Sequence, residues 1–127
     1  MKLSLKILLY ILLVNSCFAQ ETSTKKAQII FKESMHNFKT IKYKKEVSYL
    51  FEFKNVGKIP VNIEKVETSC HCTVAEKPDK PIKPKEKANI RVAYEANEEG
   101  KFQKSIKIYS NAENSPAIVY IKGFVIK

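Results

Sequence analysis

Residues 47–61 read Val47-Ser48-Tyr49-Leu50-Phe51-Glu52-Phe53-Lys54-Asn55-Val56-Gly57-Lys58-Ile59-Pro60-Val61. Val47, Tyr49, Phe51 and Phe53 recur with the period of two that places alternate side chains on opposite faces of a strand, while Ser48, Glu52 and Lys54 fill the other face. Leu50 alone breaks the alternation. Aromatic and β-branched residues suit a pleated, half-buried surface, so the segment predicts a strand with one face on a core and the other in water. Asn55 to Pro60 supplies turn chemistry. Val61, Ile63 and Val66 then resume a strand whose alternation slips by one residue near Lys65, as a bulge would make it do.

The same period runs on towards both ends. After a loop holding Pro78, Pro81 and Pro84, the residues Ile90, Val92 and Tyr94 alternate with Asn89, Arg91 and Ala93. Glu98-Glu99-Gly100 turns the chain into Phe102 to Tyr109, where Ile106 and Ile108 keep register with Phe102. So short a glycine-containing loop predicts that these two segments are antiparallel neighbours. Ala117 to Ile126 is apolar on both faces, which predicts a strand covered by other elements as well as by its own sheet. With Ala27 to Phe31 and a short element from His36 to Ile41, about seven strands fall in roughly 100 residues. The expected fold is all-β, an immunoglobulin-like two-sheet antiparallel sandwich of about seven strands.

A chain of 127 residues has room for one such domain. Lys2 and Lys6 ahead of the apolar run Ile7 to Val14 outline a secretory signal peptide. That run is shorter than the roughly 20 residues of a spanning helix, and no later stretch approaches that length, so no transmembrane segment is expected. Cys17-Phe18-Ala19 presents small residues where a signal peptidase reads. The division that follows is residues 1–19 as signal peptide, 20–26 as a polar tether and 27–127 as the sandwich domain. The alternative takes Val14-Asn15-Ser16-Cys17 as a lipobox with Cys17 the lipidated terminus of an anchored form, although Asn15 is unusual there. The protein is expected to be exported, either periplasmic or extracellular.

The formal charge is +10, and every cation except Arg91 is lysine. Lysine forks to phosphate and stacks on bases less well than arginine, and no basic stripe with interleaved aromatics occurs, so nucleic acid is not an expected partner. The plain reading is a solubilising lysine surface. The functional one is attraction to anionic envelope polymers or lipid headgroups.

Phe51-Glu52-Phe53-Lys54-Asn55-Val56-Gly57-Lys58-Ile59-Pro60-Val61, followed by Ser69-Cys70-His71-Cys72-Thr73, Pro81-Ile82-Lys83-Pro84, Ser110-Asn111 and Ile121-Lys122-Gly123, resembles domain-of-unknown-function family 1573. That family is common in exported proteins of Bacteroidetes-type bacteria, and the resemblance covers nearly all of the chain beyond the leader. It implies a sandwich related in architecture to the major-sperm-protein and pilus-chaperone domains, with no settled biochemical activity. The chain departs from the family pattern at His71, Lys85 and Lys39, each of which stands where glycine is usual or frequent.

Cys70-His71-Cys72 is the one motif that could carry chemistry, and four readings of it stay open. The two cysteines could simply bury, as small hydrophobes do. They could form a disulfide, favoured by an oxidising compartment, although residues two apart in an extended strand lie near the upper limit of about 6.8 Å between Cα atoms. The motif could hold copper or zinc, since thiolates and imidazole suit both. In a strand, however, His71 would point away from its neighbours, so the three ligands Cys70, His71 and Cys72 converge only if the segment turns. A closed zinc site would want a fourth ligand, and His36, the other histidine, is expected to pack or cap rather than bind. Thiol redox work would need a lowered thiol pKa, and the usual spacing is C-x-x-C.

No enzyme constellation accompanies the motif: there is no glycine-rich phosphate loop, no G-x-S-x-G and no H-E-x-x-H. The expectation is a non-catalytic exported module, without a cofactor, that binds an envelope protein or anionic polymer through a sheet edge or loops. The alternative is soft-metal or thiol-redox handling at Cys70, His71 and Cys72.

Overall fold

The computed structural model describes residues 24–127, so the expected leader, its cut after Ala19 and the alternative anchor at Cys17 lie outside the described residues. The strands are β1 (Ile29–Phe31), β2 (Met35–Lys42), β3 (Glu46–Asn55), β4 (Ile63–Thr68), β5 (Thr73–Glu76), β6 (Lys87–Glu95), β7 (Gly100–Ser110) and β8 (Ala117–Ile126). They form two four-stranded sheets, ordered β1-β3-β6-β5 and β2-β8-β7-β4. Packed face to face, these are the all-β immunoglobulin-like sandwich that the period of two predicts.

β3 shows why. Phe51 and Phe53 are each 1% exposed, Val47 and Tyr49 half-bury on the same face, and Leu50 stands on the opposite face at 55% exposure. Alongside, Ile90, Val92 and Tyr94 of β6 sit opposite Phe51, Tyr49 and Val47. Ile106 and Ile108 of β7 and Val119, Ile121 and Val125 of β8 close the core from the second sheet. The β4 pairing with β7 shifts between Ile63 and Lys65, which is the bulge read from the slipped alternation.

The sandwich expected to have about seven strands has eight: the addition is β5, whose inward residues Thr73 and Ala75 are small and whose Val74 faces outward, so no apolar period marks it. Three expectations need correction. β6 and β7 are not hairpin neighbours, because β6 pairs with β3 and β5 while β7 pairs with β4 and β8. The Gly100 turn, at φ 102°, instead carries the chain across the sandwich. Tyr94 and Phe102 then meet ring on ring at 4.1 Å between centroids, and facing sheets hide both apolar faces at once. The sandwich is also not wholly antiparallel, since β2 runs parallel to β8. Parallel neighbours need a long connection, and nearly the whole fold separates these two. Finally, β8 is covered on one face only: Val119, Ile121 and Val125 are buried, but Ile118, Phe124 and Ile126 are exposed.

Lys39 and Lys85, two of the positions where the family pattern has glycine, take φ of 61° and 70°. The left-handed conformation expected of a glycine is therefore kept by lysines, at a cost of roughly 1–2 kcal/mol each. At the amino-terminal side, the Lys58 N–H donates to the Lys26 carbonyl at 2.8 Å and Ala27 is buried. Among the described residues, attachment to the sandwich thus includes Lys26, which the sequence places in the tether.

Candidate functional site

Cys70-His71-Cys72 occupies the corner where the chain leaves β4, an outer strand of one sheet, for β5, an outer strand of the other. The corner is a turn rather than a strand, closed by the Thr73 N–H donating to the Cys70 carbonyl at 3.3 Å. It contracts the Cα separation of the two cysteines to 5.4 Å, and a disulfide joins them. The extended-strand objection to that bond is removed by the turn.

The corner is tied to both sheets. Ser69 exchanges hydrogen bonds with Ser105 of β7, through N–H to carbonyl at 3.1 Å and from the Ser105 N–H to Ser69 Oγ at 3.1 Å. On the other side the Glu95 N–H donates to the Cys72 carbonyl at 2.8 Å. The Thr68 hydroxyl lies 3.0 Å from the Cys70 carbonyl and 3.1 Å from that of Thr73. Cys72 packs on the core, while His71 is exposed. Among the described residues no three His, Cys, Asp or Glu side chains are grouped to hold a metal ion.

His36 stands elsewhere. Its strand β2 and the β4 that leads into the cysteine corner are the two outer strands of one sheet, three strand spacings or about 14 Å apart. It stacks on Tyr49 at 3.7 Å and meets Phe38 edge-on at 4.6 Å, and burial lowers its pKa against the opposing charge of Glu33. In the fold it packs on these two rings.

The second feature is the outer face of the β2-β8-β7-β4 sheet, which sequence reasoning missed because it covered β8 on both sides. The register lays this face out in rows: Thr40, Phe124 and Lys101 side by side, then Asn37, Lys122 and Gln103, then Met35, Tyr120 and Ser105. Phe124 is 49% exposed although β8 has a hydrogen-bonded neighbour on each side. Towards β4 the charges are mutually committed. Lys65 lies 3.1 Å from Glu67 and over the Tyr109 ring at 4.6 Å, and the Tyr109 hydroxyl donates to Glu67 at 3.2 Å. The Glu67 contact raises the Lys65 pKa and, in return, Lys65 lowers that of Glu67.

The family model described as "Protein of unknown function (DUF1573)" matches residues 29–125. Among solved structures, a protein of unknown function from Porphyromonas gingivalis superposes with a TM-score of 0.70 at 18% identity, over 85% of this chain and 51% of that one. This chain therefore spans about half the length of that relative. PapD-like domain 7 of human CEP192 gives a TM-score of 0.66 at 8% identity, over 80% of this chain and 87% of that one. The VesB protease of Vibrio cholerae gives 0.63 at 14% identity, over 76% of this chain but only 32% of the protease. At such identities the likeness is one of fold. No curated protein matches the chain in sequence.

Proposed function

The chain belongs to the DUF1573 family of proteins of unknown function, and on that footing we propose that it is a non-catalytic binding module of the cell envelope. It holds its partner on the outer face of the β2-β8-β7-β4 sheet. The observation that carries this reading is Phe124, with Ile126 next to it on the same face and Met35 and Ile118 farther along that face, exposed on and beside an inner strand. Apolar side chains gathered on one face of a sheet, with polar residues among them, are the usual mark of an interaction surface. The basic start and apolar run of the first residues support export.

The test is cosedimentation of the purified mature protein with washed envelopes. Wild type should pellet, and a Phe124→Ser, Ile126→Ser double variant should stay in the supernatant with its melting temperature near that of wild type. Leu50→Ser, which alters an exposed apolar residue of the other sheet, should pellet like wild type. Equal loss from both changes would remove the face from consideration.

Soft-metal or thiol handling at Cys70, His71 and Cys72 is the second reading: the segment turns, as convergence of the three would require, although with the disulfide formed the three side chains are not grouped as ligands. Copper or zinc would require the disulfide reduced first, releasing two thiolates beside His71. Reduction itself should lower stability by about 1 kcal/mol or less, because closing a one-residue loop removes little freedom from the unfolded chain. The measurement is thermal melting of oxidised and reduced protein with and without copper(I) or zinc. A metal that raises the melting temperature of the reduced wild type, but not of a Cys70→Ser, Cys72→Ser variant, would rank this reading first.

A further inference from the structure

A cleft of about 340 Å³ opens on the outer face at the β2 irregularity, between β2, β8 and the start of β7. Its lining includes Lys39, Lys101, Lys122, Phe124, Asn37 and Thr40, and no acidic side chain takes part. The six ion pairs among the described residues use none of these three lysines. Three lysines from three strands thus line one small volume, and none of them is ion-paired among the described residues.

The floor and the wall of the cleft are fixed by backbone. A Cβ on Gly123 would lie 2.8 Å from the Phe102 ring and 2.9 Å from the Lys39 carbonyl oxygen, so β2 approaches β8 closely only because position 123 has no side chain. Lys39 holds φ 61°, and the Asn37 side-chain oxygen accepts its N–H at 2.9 Å. A lysine kept in the left-handed region against its own steric preference has its position imposed by the surrounding structure.

We propose that this cleft binds a negatively charged sugar unit of an anionic polysaccharide. The carboxylate, sulfate or phosphate of the unit lies among Lys39, Lys101 and Lys122, and its apolar C–H face lies on Phe124. The inference rests on the reading of this sheet face as the binding surface and names its partner class. Charge complementarity selects an anion, and the volume sits at the small end of the roughly 300–1,000 Å³ typical of ligand pockets. Asn37 and Thr40 add hydrogen-bonding groups of the kind that sugar hydroxyls use.

A lipid surface fits less well. Apolar groups that enter a bilayer must reach about 5–10 Å below the headgroups, whereas Phe124 stands on a sheet in one row with Lys101 and next to the row of Lys122. Lysines rooted in that plane would have to stretch back past it to keep their ammonium groups at the headgroups.

The experiment is calorimetric titration of the mature protein, at low salt, with oligogalacturonate, a heparin-derived oligosaccharide, neutral dextran, and vesicles of phosphatidylglycerol. At least one charged oligosaccharide should bind and dextran should not. Lys101→Gln with Lys122→Gln, and separately Phe124→Ala, should each weaken binding about tenfold or more, as loss of a central contact does. Lys87→Gln, which removes a lysine on the other sheet paired with Glu52, should leave it unchanged. Equal weakening by Lys87→Gln, or none by Phe124→Ala, would show adherence to bulk charge and overturn the site. Binding to vesicles alone would overturn it in favour of a lipid partner. If envelopes are bound through Phe124 but no oligosaccharide is, the sugar inference falls and the binding face stands; if neither is bound, both fall.

Discussion

Replacing Phe51 by alanine should lower the free energy of unfolding by about 3–5 kcal/mol, the range for emptying the site of a buried aromatic ring. Phe51 is 1% exposed, sits opposite Ile90 on β6 and meets the Tyr49 ring edge-on at 4.9 Å. Its ring is therefore held from its own strand, from the neighbouring strand and from the facing sheet, so that collapse around the cavity is opposed on every side. Glu52 is the control one residue away. It points to the outer face, where Lys87 lies 3.6 Å from its carboxylate in an exposed pair, and exposed pairs contribute about 0–1 kcal/mol. Urea unfolding of Phe51→Ala and Glu52→Ala measures both. Similar costs for the two would mean that the faces of β3 have been assigned the wrong way round.

That control works because the faces of β3 were legible in the sequence, and the reason is local. Which way a side chain points follows from its parity along one strand, so Phe51 and Leu50 could be told apart with no knowledge of what they pack against. The slipped alternation near Lys65 was legible on the same ground, because a bulge changes parity within a few residues. Partner choice is not local. The Glu98-Glu99-Gly100 turn looks the same whether the chain folds back beside β6 or crosses to the other sheet, and only the neighbours already taken by β6 and β7 decide it. The parallel pairing of β2 with β8 has no local signature either, since its connection is most of the domain.

The candidate sites divide along the same line. Cys70-His71-Cys72 stood out because rare residues lie adjacent in sequence, although their turn and their bond did not. The lysine cleft could not be found that way: Lys39, Lys101 and Lys122 come from three strands and meet only through the β2-β8-β7 pairing. The apolar outer face of β8 was visible as composition but was taken for coverage by other elements. An inner strand whose open outer face is apolar reads the same, residue by residue, as one with both faces buried.

Asn55→Ala should destabilise the fold by about 3 kcal/mol, although the change removes only a small polar side chain. Asn55 is the residue at which β3 stops alternating and begins its turn, and it is fully buried. Its amide donates to the Ile59 carbonyl at 2.8 Å and to the Ile82 carbonyl at 2.9 Å, and its oxygen accepts the Gly57 N–H at 2.9 Å. These bonds join the β3 turn to the segment around Ile82, which itself exchanges backbone bonds of 2.8 Å in each direction with Val61. Alanine would leave the Ile59 carbonyl and the Gly57 N–H without that partner, while the Ile82 carbonyl would keep the Val61 N–H, and each buried group left unsatisfied costs roughly 1–3 kcal/mol unless water reaches it. The Gly57 end is confined further, because a Cβ there would overlap the Lys26 carbonyl and lie 2.6 Å from the Gln28 nitrogen, so the turn has little room to relax and re-pair. Asn89→Ala, at an exposed site on β6, should change stability by no more than about 0.5 kcal/mol. Chemical denaturation of the two variants, with amide exchange at Gly57 as a local readout, separates the outcomes. If Asn55→Ala cost as little as Asn89→Ala and left the Gly57 amide protected, the Asn55 side chain would not be what fastens this turn to the sandwich.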